Sequence, residues 1–232
     1  MSLRERDLAL TELMDDPACD PARLAATYRR FGVVNRLISG WGTVWRRQVS
    51  PVLAALGRPA RVLDLGCGGG DLVERLAALA RRDGLDVAFT GADPDPRAHE
   101  VASQRSVPGA RFVRSGSAEL LAAGERFDVV VSNHVLHHLA PDELVVFARE
   151  SRELATARVL HGDIARGRLA YGLYAAGITP LAPGTFLRTD GLRSIRRSYR
   201  AAELSAVLGR TWRVSEPAPF RLLAVADGAA DA

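Results

Sequence analysis

Residues 61–77 read RVLDLGCGGGDLVERLA, and this stretch decides the fold. An apolar run reaches Asp64 and Leu65, glycines follow at 66, 68, 69 and 70, and helical spacing of apolar residues begins at once. The pattern predicts a buried strand, a tight turn and a helix. Glycines in such a turn permit positive φ and let a ligand lie directly on the backbone. The helix that follows directs its free N–H groups and positive end toward that ligand. A carboxylate stands on each side of the turn, Asp64 before it and Asp71 after it. An acidic helix start repels a diphosphate and favours a cation. The spacing is GxGxG, with Asp71 where the GxGxxG of dinucleotide sites has its third glycine.

Working outward, short apolar runs alternate with helical stretches from residue 60 to about residue 165. Five such alternations predict an α/β fold with a doubly wound, Rossmann-like parallel sheet. The final runs, broken by Pro217 and Pro219, predict an antiparallel C-terminal hairpin that brings the sheet to seven strands. Residues 1–58 read as an N-terminal helical cap, with Asp20-Pro21 as a helix start. Residues 59–232 form the main domain, and an insert at about 165–200 is expected as a lid over the carboxyl edge of the sheet.

The chain has 232 residues, 47% of them hydrophobic, enough for a full core. No apolar stretch reaches the roughly 18 residues of a membrane span, and the charged N-terminus lacks the apolar core of a secretory signal. A cytoplasmic location is therefore expected. The net charge of +4 rests on arginine alone, without a lysine, which reads as composition bias rather than a nucleic-acid surface. Cys19 and Cys67 form no CxxC pair, and no His/Asp/Glu grouping along the chain has metal-ligand spacing, so no metal is expected.

Three further stations follow the glycine turn. Asp93, 27 positions after Gly66 and ahead of Pro94, ends the second apolar run, where a carboxylate can accept from both hydroxyls of a ribose. Ser117 and Ala118 open a helix after the third run. Asn133 and His134 end the fourth, FDVVVSNH, and lead into VLHHL.

Together, VLDLGCGGG, Asp93, the Ser117–Ala118 pair and FDVVVSNHVLHHL resemble class I S-adenosylmethionine-dependent methyltransferases. The resemblance implies that S-adenosylmethionine is held by Asp64, Gly66, Gly68, Gly70, Asp93, Pro94, Ser117, Ala118, Asn133 and His134. Residues 28–51 are similar to a segment of ubiquinone and menaquinone methyltransferases, matching at Tyr28, Asn35, Leu37, Ser39, Trp45 and Arg47. The chain also resembles methyltransferases that accompany polyketide synthases. Ubiquinone and menaquinone enzymes carry arginine and asparagine where this chain has His137 and His138. Histidine-assisted O-methylation is thus slightly favoured over C-methylation. His137, His161 and His138 are the candidate bases, each with an ordinary structural role as the alternative. The insert is rich in Leu, Ala, Tyr and Phe, and Arg193, Arg196 and Arg197 within it could meet a phenolate.

The expected partner is a small hydrophobic hydroxylated acceptor, of quinol or phenolic polyketide type, and a homodimer is a candidate assembly. RNA or protein methylation and a non-catalytic S-adenosylmethionine-binding role stay as rivals. DNA amino-methylation is disfavoured because SNHV stands where a [DN]PP[YF] motif would be. A dinucleotide oxidoreductase is disfavoured by the GxGxG spacing.

Overall fold

The computed structural model describes residues 3–229, and all of their side chains except those of residues 36–38. Leu37, one position of the resemblance, is among those exceptions. Seven strands form one sheet: β1 (Ala60–Leu65), β2 (Val87–Ala92), β3 (Ala110–Val113), β4 (Phe127–Asn133), β5 (Ala155–Ile164), β6 (Arg213–Ala218) and β7 (Arg221–Asp227). Their order is β3-β2-β1-β4-β5-β7-β6, with β1 to β5 parallel and β7 antiparallel to both its neighbours. The predicted hairpin is present, and its register shifts between Ser215 and Ala218, where Pro217 withholds a ladder donor. Strand order reverses between β1 and β4, which opens a crevice above their carboxyl ends.

Among the described residues, ten α-helices surround the sheet: α1 (Pro21–Ile38), α2 (Trp41–Val44), α3 (Ser50–Ala55), α4 (Asp71–Arg82), α5 (Pro96–Ser103), α6 (Ser117–Ala122), α7 (Pro141–Leu154), α8 (Arg168–Gly177), α9 (Leu187–Arg197) and α10 (Ala201–Leu208). A π-helical stretch, Trp45–Val49, joins α2 to α3. Successive strand residues point to opposite faces, and both faces are covered. Val129 and Val131 pack with α4 and the tryptophans Trp41 and Trp45, while Val130 packs against Leu144, Leu204 and Trp212. α4 turns Leu72, Val73, Leu76, Ala77 and Ala80 inward, the spacing that marked it as a helix.

The N-terminal segment differs from its sequence reading. α1 starts at Pro21 with Asp20 accepting from the Arg23 N–H, but the chain before it carries only a 3₁₀ turn at Leu13–Asp15. Tertiary partners replace the helical ladder there. The Leu13 and Met14 N–H groups donate to Asp190 at 2.8 and 3.0 Å. Arg166 donates to the Leu3 and Arg4 carbonyls, and Arg193 donates to Thr11 O at 2.6 Å. Arg197 donates to Leu10 O. The segment is a strap bound by arginines of the insert and of β5's end. Among the described residues, no helix is long and apolar enough to cross a membrane.

Candidate functional site

β1 ends at Leu65, and the chain turns through Gly66, Gly68 and Gly70, all with positive φ. A Cβ at Gly66 would stand 2.6 Å from Val135, so the turn admits no side chain there. The Gly66 N–H donates to Ala92 O at 2.8 Å and the Gly68 N–H to Asp93 Oδ2 at 2.8 Å, which ties the turn to the end of β2. Asp93 Oδ1 also accepts from the Asp95 N–H at 2.9 Å. Each oxygen keeps a lone pair for a ligand hydroxyl.

Three carboxylates therefore gather at this turn. Asp64 is 2% exposed, and neither of its oxygens has a hydrogen-bond partner. Burial, followed by the charges of Asp71 and Asp93, pushes its carboxyl well above the usual range. Burial also raises Asp71, although the Asn35 amide donates to it at 2.9 Å, and burial raises Asp93. An orphaned buried acid is costly unless a donor or cation arrives. This donor set fits a ligand that carries an ammonium and a sulfonium, with ribose hydroxyls within reach of Asp93.

A cavity of about 790 Å³ opens beside the turn. Of the residues expected to bind cofactor, Asp64, Gly66, Gly68, Asp93, Pro94, Ser117, Asn133 and His134 line it. The Ser117 hydroxyl donates to Glu150 at 2.6 Å, and its oxygen can still accept. His134 sits at φ 63, a strained conformation for a non-glycine residue at the crevice. Burial, with the Arg221 charge, drives its pKa well down, and Arg221 approaches its Nε2 at 3.2 Å and Asn133 Oδ1 at 2.6 Å.

Two cofactor expectations are corrected. Gly70 is not on the cavity wall; it begins α4, and a Cβ there would meet the Phe112 ring at 2.7 Å, so close packing is what it serves. Ala118 is exposed on the first turn of α6, because that helix turns its Leu120 face inward instead.

The histidines separate. His137 and His138 line the cavity, whereas His161 does not. β5 runs on to Ile164, so His161 lies three residues inside the strand, fully buried and stacked on Trp212 at 5.2 Å between ring centres. Its Nδ1 pairs with Ser132 Oγ at 2.8 Å, and burial lowers its pKa to about 3. It is a core residue rather than a base. His161→Phe is expected to leave turnover unchanged while costing about 1–3 kcal/mol, the Ser132 hydroxyl losing its partner; assays of kcat and urea unfolding check both halves.

His137 is held between two carboxylates. Its Nδ1 is 2.7 Å from Asp163 Oδ1 and its Nε2 3.3 Å from Glu12 Oε1. Burial alone would lower its pKa, but Asp163 and then Glu12 outweigh that and push it up to about 10. The imidazole is therefore protonated at neutral pH, and its Nε2 lone pair becomes available only when that proton is displaced. His138 is one-third exposed, with Nδ1 3.3 Å from Asp15 Oδ2 and Nε2 3.9 Å from Glu12 Oε1. The insert arginines do not face the cavity: Arg193 and Arg196 bind the strap, and Arg197 donates to His137 O at 3.2 Å and His138 O at 2.9 Å.

Glu12 and Arg221 escaped the sequence reading. Glu12 sits in a mixed run, LALTELMDD, with nothing to set it apart. Arg221 did carry a signal, a lone charge opening the apolar strand RLLAVA. Phe31, Val34, Leu173, Tyr174, Ile178 and Ile195, drawn from α1, α8, the turn after it and α9, add an apolar wall, into which α9 also brings Asp190 and Ser194.

Residues 62–157 match the family profile described as "Methyltransferase domain". The sheet order is that of a Rossmann-like fold, and within it residues 62–157 resemble methyltransferase domains. It is similar to the ubiquinone biosynthesis O-methyltransferase of Azorhizobium caulinodans, 45% identical over 97 residues, or 40% of this chain and 35% of that protein. The namesake of Brucella anthropi is 35% identical over 120 residues, 50% of this chain and 46% of that protein. The chain thus spans less than half the length of these curated relatives. Human N-acetylserotonin methyltransferase, solved with S-adenosylmethionine, superposes with a TM-score of 0.61 at 15% identity, covering 87% of this chain and 54% of that one. The plantazolicin methyltransferase BpumL, solved with S-adenosylhomocysteine, gives 0.58 at 12% identity, covering 93% and 96%. At such identities the likeness concerns the fold.

Proposed function

We propose that the protein transfers the methyl group of S-adenosylmethionine to a hydroxyl of a small hydrophobic acceptor of phenolic, polyketide or quinol type, in the cytoplasm. The observation that carries this reading is the single cavity that joins an orphaned, cation-seeking Asp64 to a histidine–carboxylate cluster through apolar walls. Bound S-adenosylmethionine supplies an electrophilic methyl on a positive sulfur. Asp64 and Asp71 neutralise the charge of its amino-acid end, Asp93 accepts from the ribose, and Ser117 accepts from the adenine amine. Asn133 and His134, braced by Arg221, bound the space between cofactor and acceptor.

The acceptor lies against the apolar residues of α1, α8 and α9, with residues 165–200 as its lid. Its hydroxyl faces Glu12, His137 and His138 and loses its proton there. Aligning the two reactants away from water supplies most of what an in-line methyl transfer requires. O-methylation is favoured over C-methylation by that cluster, and the names of the curated relatives support it.

Two measurements test this. A labelled-methyl screen over phenolic lipids, quinols and RNA should find label in an ether oxygen of a small acceptor; label in RNA alone overturns the reading. Calorimetry should show S-adenosylhomocysteine bound and NAD not bound. Asp93→Ala is expected to weaken that binding by about 1–3 kcal/mol, through lost charge-assisted hydrogen bonds and a loosened Gly68. Unchanged affinity removes Asp93 from the site.

A further inference from the structure

We infer that Glu12, His137 and His138 form a three-ligand site for a divalent transition metal, zinc by the chemistry of its donors, with its open position facing the acceptor. Glu12 Oε1 stands 3.3 Å from His137 Nε2 and 3.9 Å from His138 Nε2, and the three donor atoms all lie within 4.8 Å of one another. Donors about 2.0–2.1 Å from a tetrahedral ion are roughly 3.3 Å apart, so small side-chain rotations close the set. Two imidazoles and one carboxylate suit zinc, cobalt or nickel better than magnesium or calcium.

The surroundings give an independent reason. Ligating histidines ordinarily donate their second N–H to a carboxylate, which aims the other nitrogen at the ion. Both histidines have that arrangement here: Nδ1 of His137 faces Asp163 at 2.7 Å, and Nδ1 of His138 faces Asp15 at 3.3 Å. Both Nε2 atoms then converge on Glu12, which the Ser194 hydroxyl orients at 2.6 Å. Arg197 and Arg6 hold the loop that carries the two imidazoles through its carbonyls. A second grouping, His134 with His137 and Asp163, is a worse site. Asp163 is already the carboxylate that orients His137 Nδ1, and the Arg221 guanidinium beside His134 repels a cation.

Glu12, His137 and His138 all line the cavity, so the fourth position is open to it. The ion's role there rests on the methyl-transfer reading: the acceptor's oxygen would complete the set, its proton leaving to solvent as the metal–oxygen bond forms. The site itself rests only on the geometry.

The test uses full-length, tag-free protein stripped with chelator and titrated with cobalt(II), followed by zinc in competition with a chromophoric chelator. One equivalent of cobalt should give the intense visible absorption of a four-coordinate ion, and zinc should abolish it. Glu12→Gln and His138→Ala should each weaken zinc binding by more than about 100-fold, and Asp15→Asn by about 10–100-fold. Wild-type protein without that absorption overturns the inference, as does equal zinc affinity in wild type, Glu12→Gln and His138→Ala. S-adenosylhomocysteine calorimetry on the same samples reports folding and keeps the two readings apart. Cofactor bound without metal removes the metal site alone, and metal bound without cofactor removes methyl transfer alone.

Discussion

Asp64→Asn is expected to make the ligand-free protein more stable and the cofactor complex weaker. The wild-type carboxylate is buried without a hydrogen-bond partner beside two more acids, so the amide removes a charge that nothing in the free protein offsets. A gain of about 1–2 kcal/mol is of the size such substitutions give. Cofactor affinity should fall by about 10–100-fold, because the lost contact is charge-assisted. The pH dependence separates this from a packing effect. Asp64 binds its proton more tightly folded than unfolded, so the wild type loses stability as pH rises from the ordinary aspartate range through its raised pKa. The difference between variant and wild type should be absent below about pH 4 and grow above it. Urea unfolding from pH 4 to 8, with and without S-adenosylhomocysteine, reads both effects. A variant less stable at every pH means that Asp64 serves the apo fold and is not held ready for a cation.

His137→Ala is the second large effect, and it should strike stability and turnover together. Removing the imidazole leaves Glu12 and Asp163, 4% and 2% exposed, with no cation between them. Losing one partner of a buried ionic group costs about 3–5 kcal/mol, on the order of 10 °C in melting temperature for a chain of this size. Methyl transfer at a temperature where the variant is folded should slow by about 10²-fold or more, because Glu12, a carboxylate able to take the hydroxyl's proton, loses the imidazolium that holds it in place. The His137–Asp163 pair also sets a pH limit. With the histidine's pKa raised to about 10, its stabilisation is complete below its ordinary value near 6.5 and disappears as pH rises through 10. Wild type should therefore destabilise across that upper range, and His137→Ala should not show that component. Full activity in the variant would leave His138 as the histidine that matters.

The side of the cavity built on the glycine turn is legible in the sequence because it is local. Asp64, Gly66 and Gly68 stand on one strand and its turn, and Asp93 ends the next strand in register with them. Helix and strand periodicities then carry these residues to one edge of the sheet. Reading failed where one residue of shift changes a side chain's surroundings. His161 would need to stand at the end of β5 to act as a base, but the strand continues to Ile164 and buries the ring under Trp212. Ala118 shares a helix turn with Ser117 yet faces solvent. Gly70 was assigned to ligand contact from a true property, its positive φ, but the neighbour that excludes a side chain is Phe112.

The sequence by itself determined the alternating layers, the glycine turn and the carboxylates around it, because short-range patterning and backbone sterics dictate each of them. Only tertiary structure decided the acceptor side. Glu12 reaches His137 from 125 positions away in the chain, and the strap that carries it has no helical ladder of its own, being held by arginines and Asp190 from distant segments. Such contacts follow from which buried charges find partners after the chain has folded, and no periodicity in the chain records them.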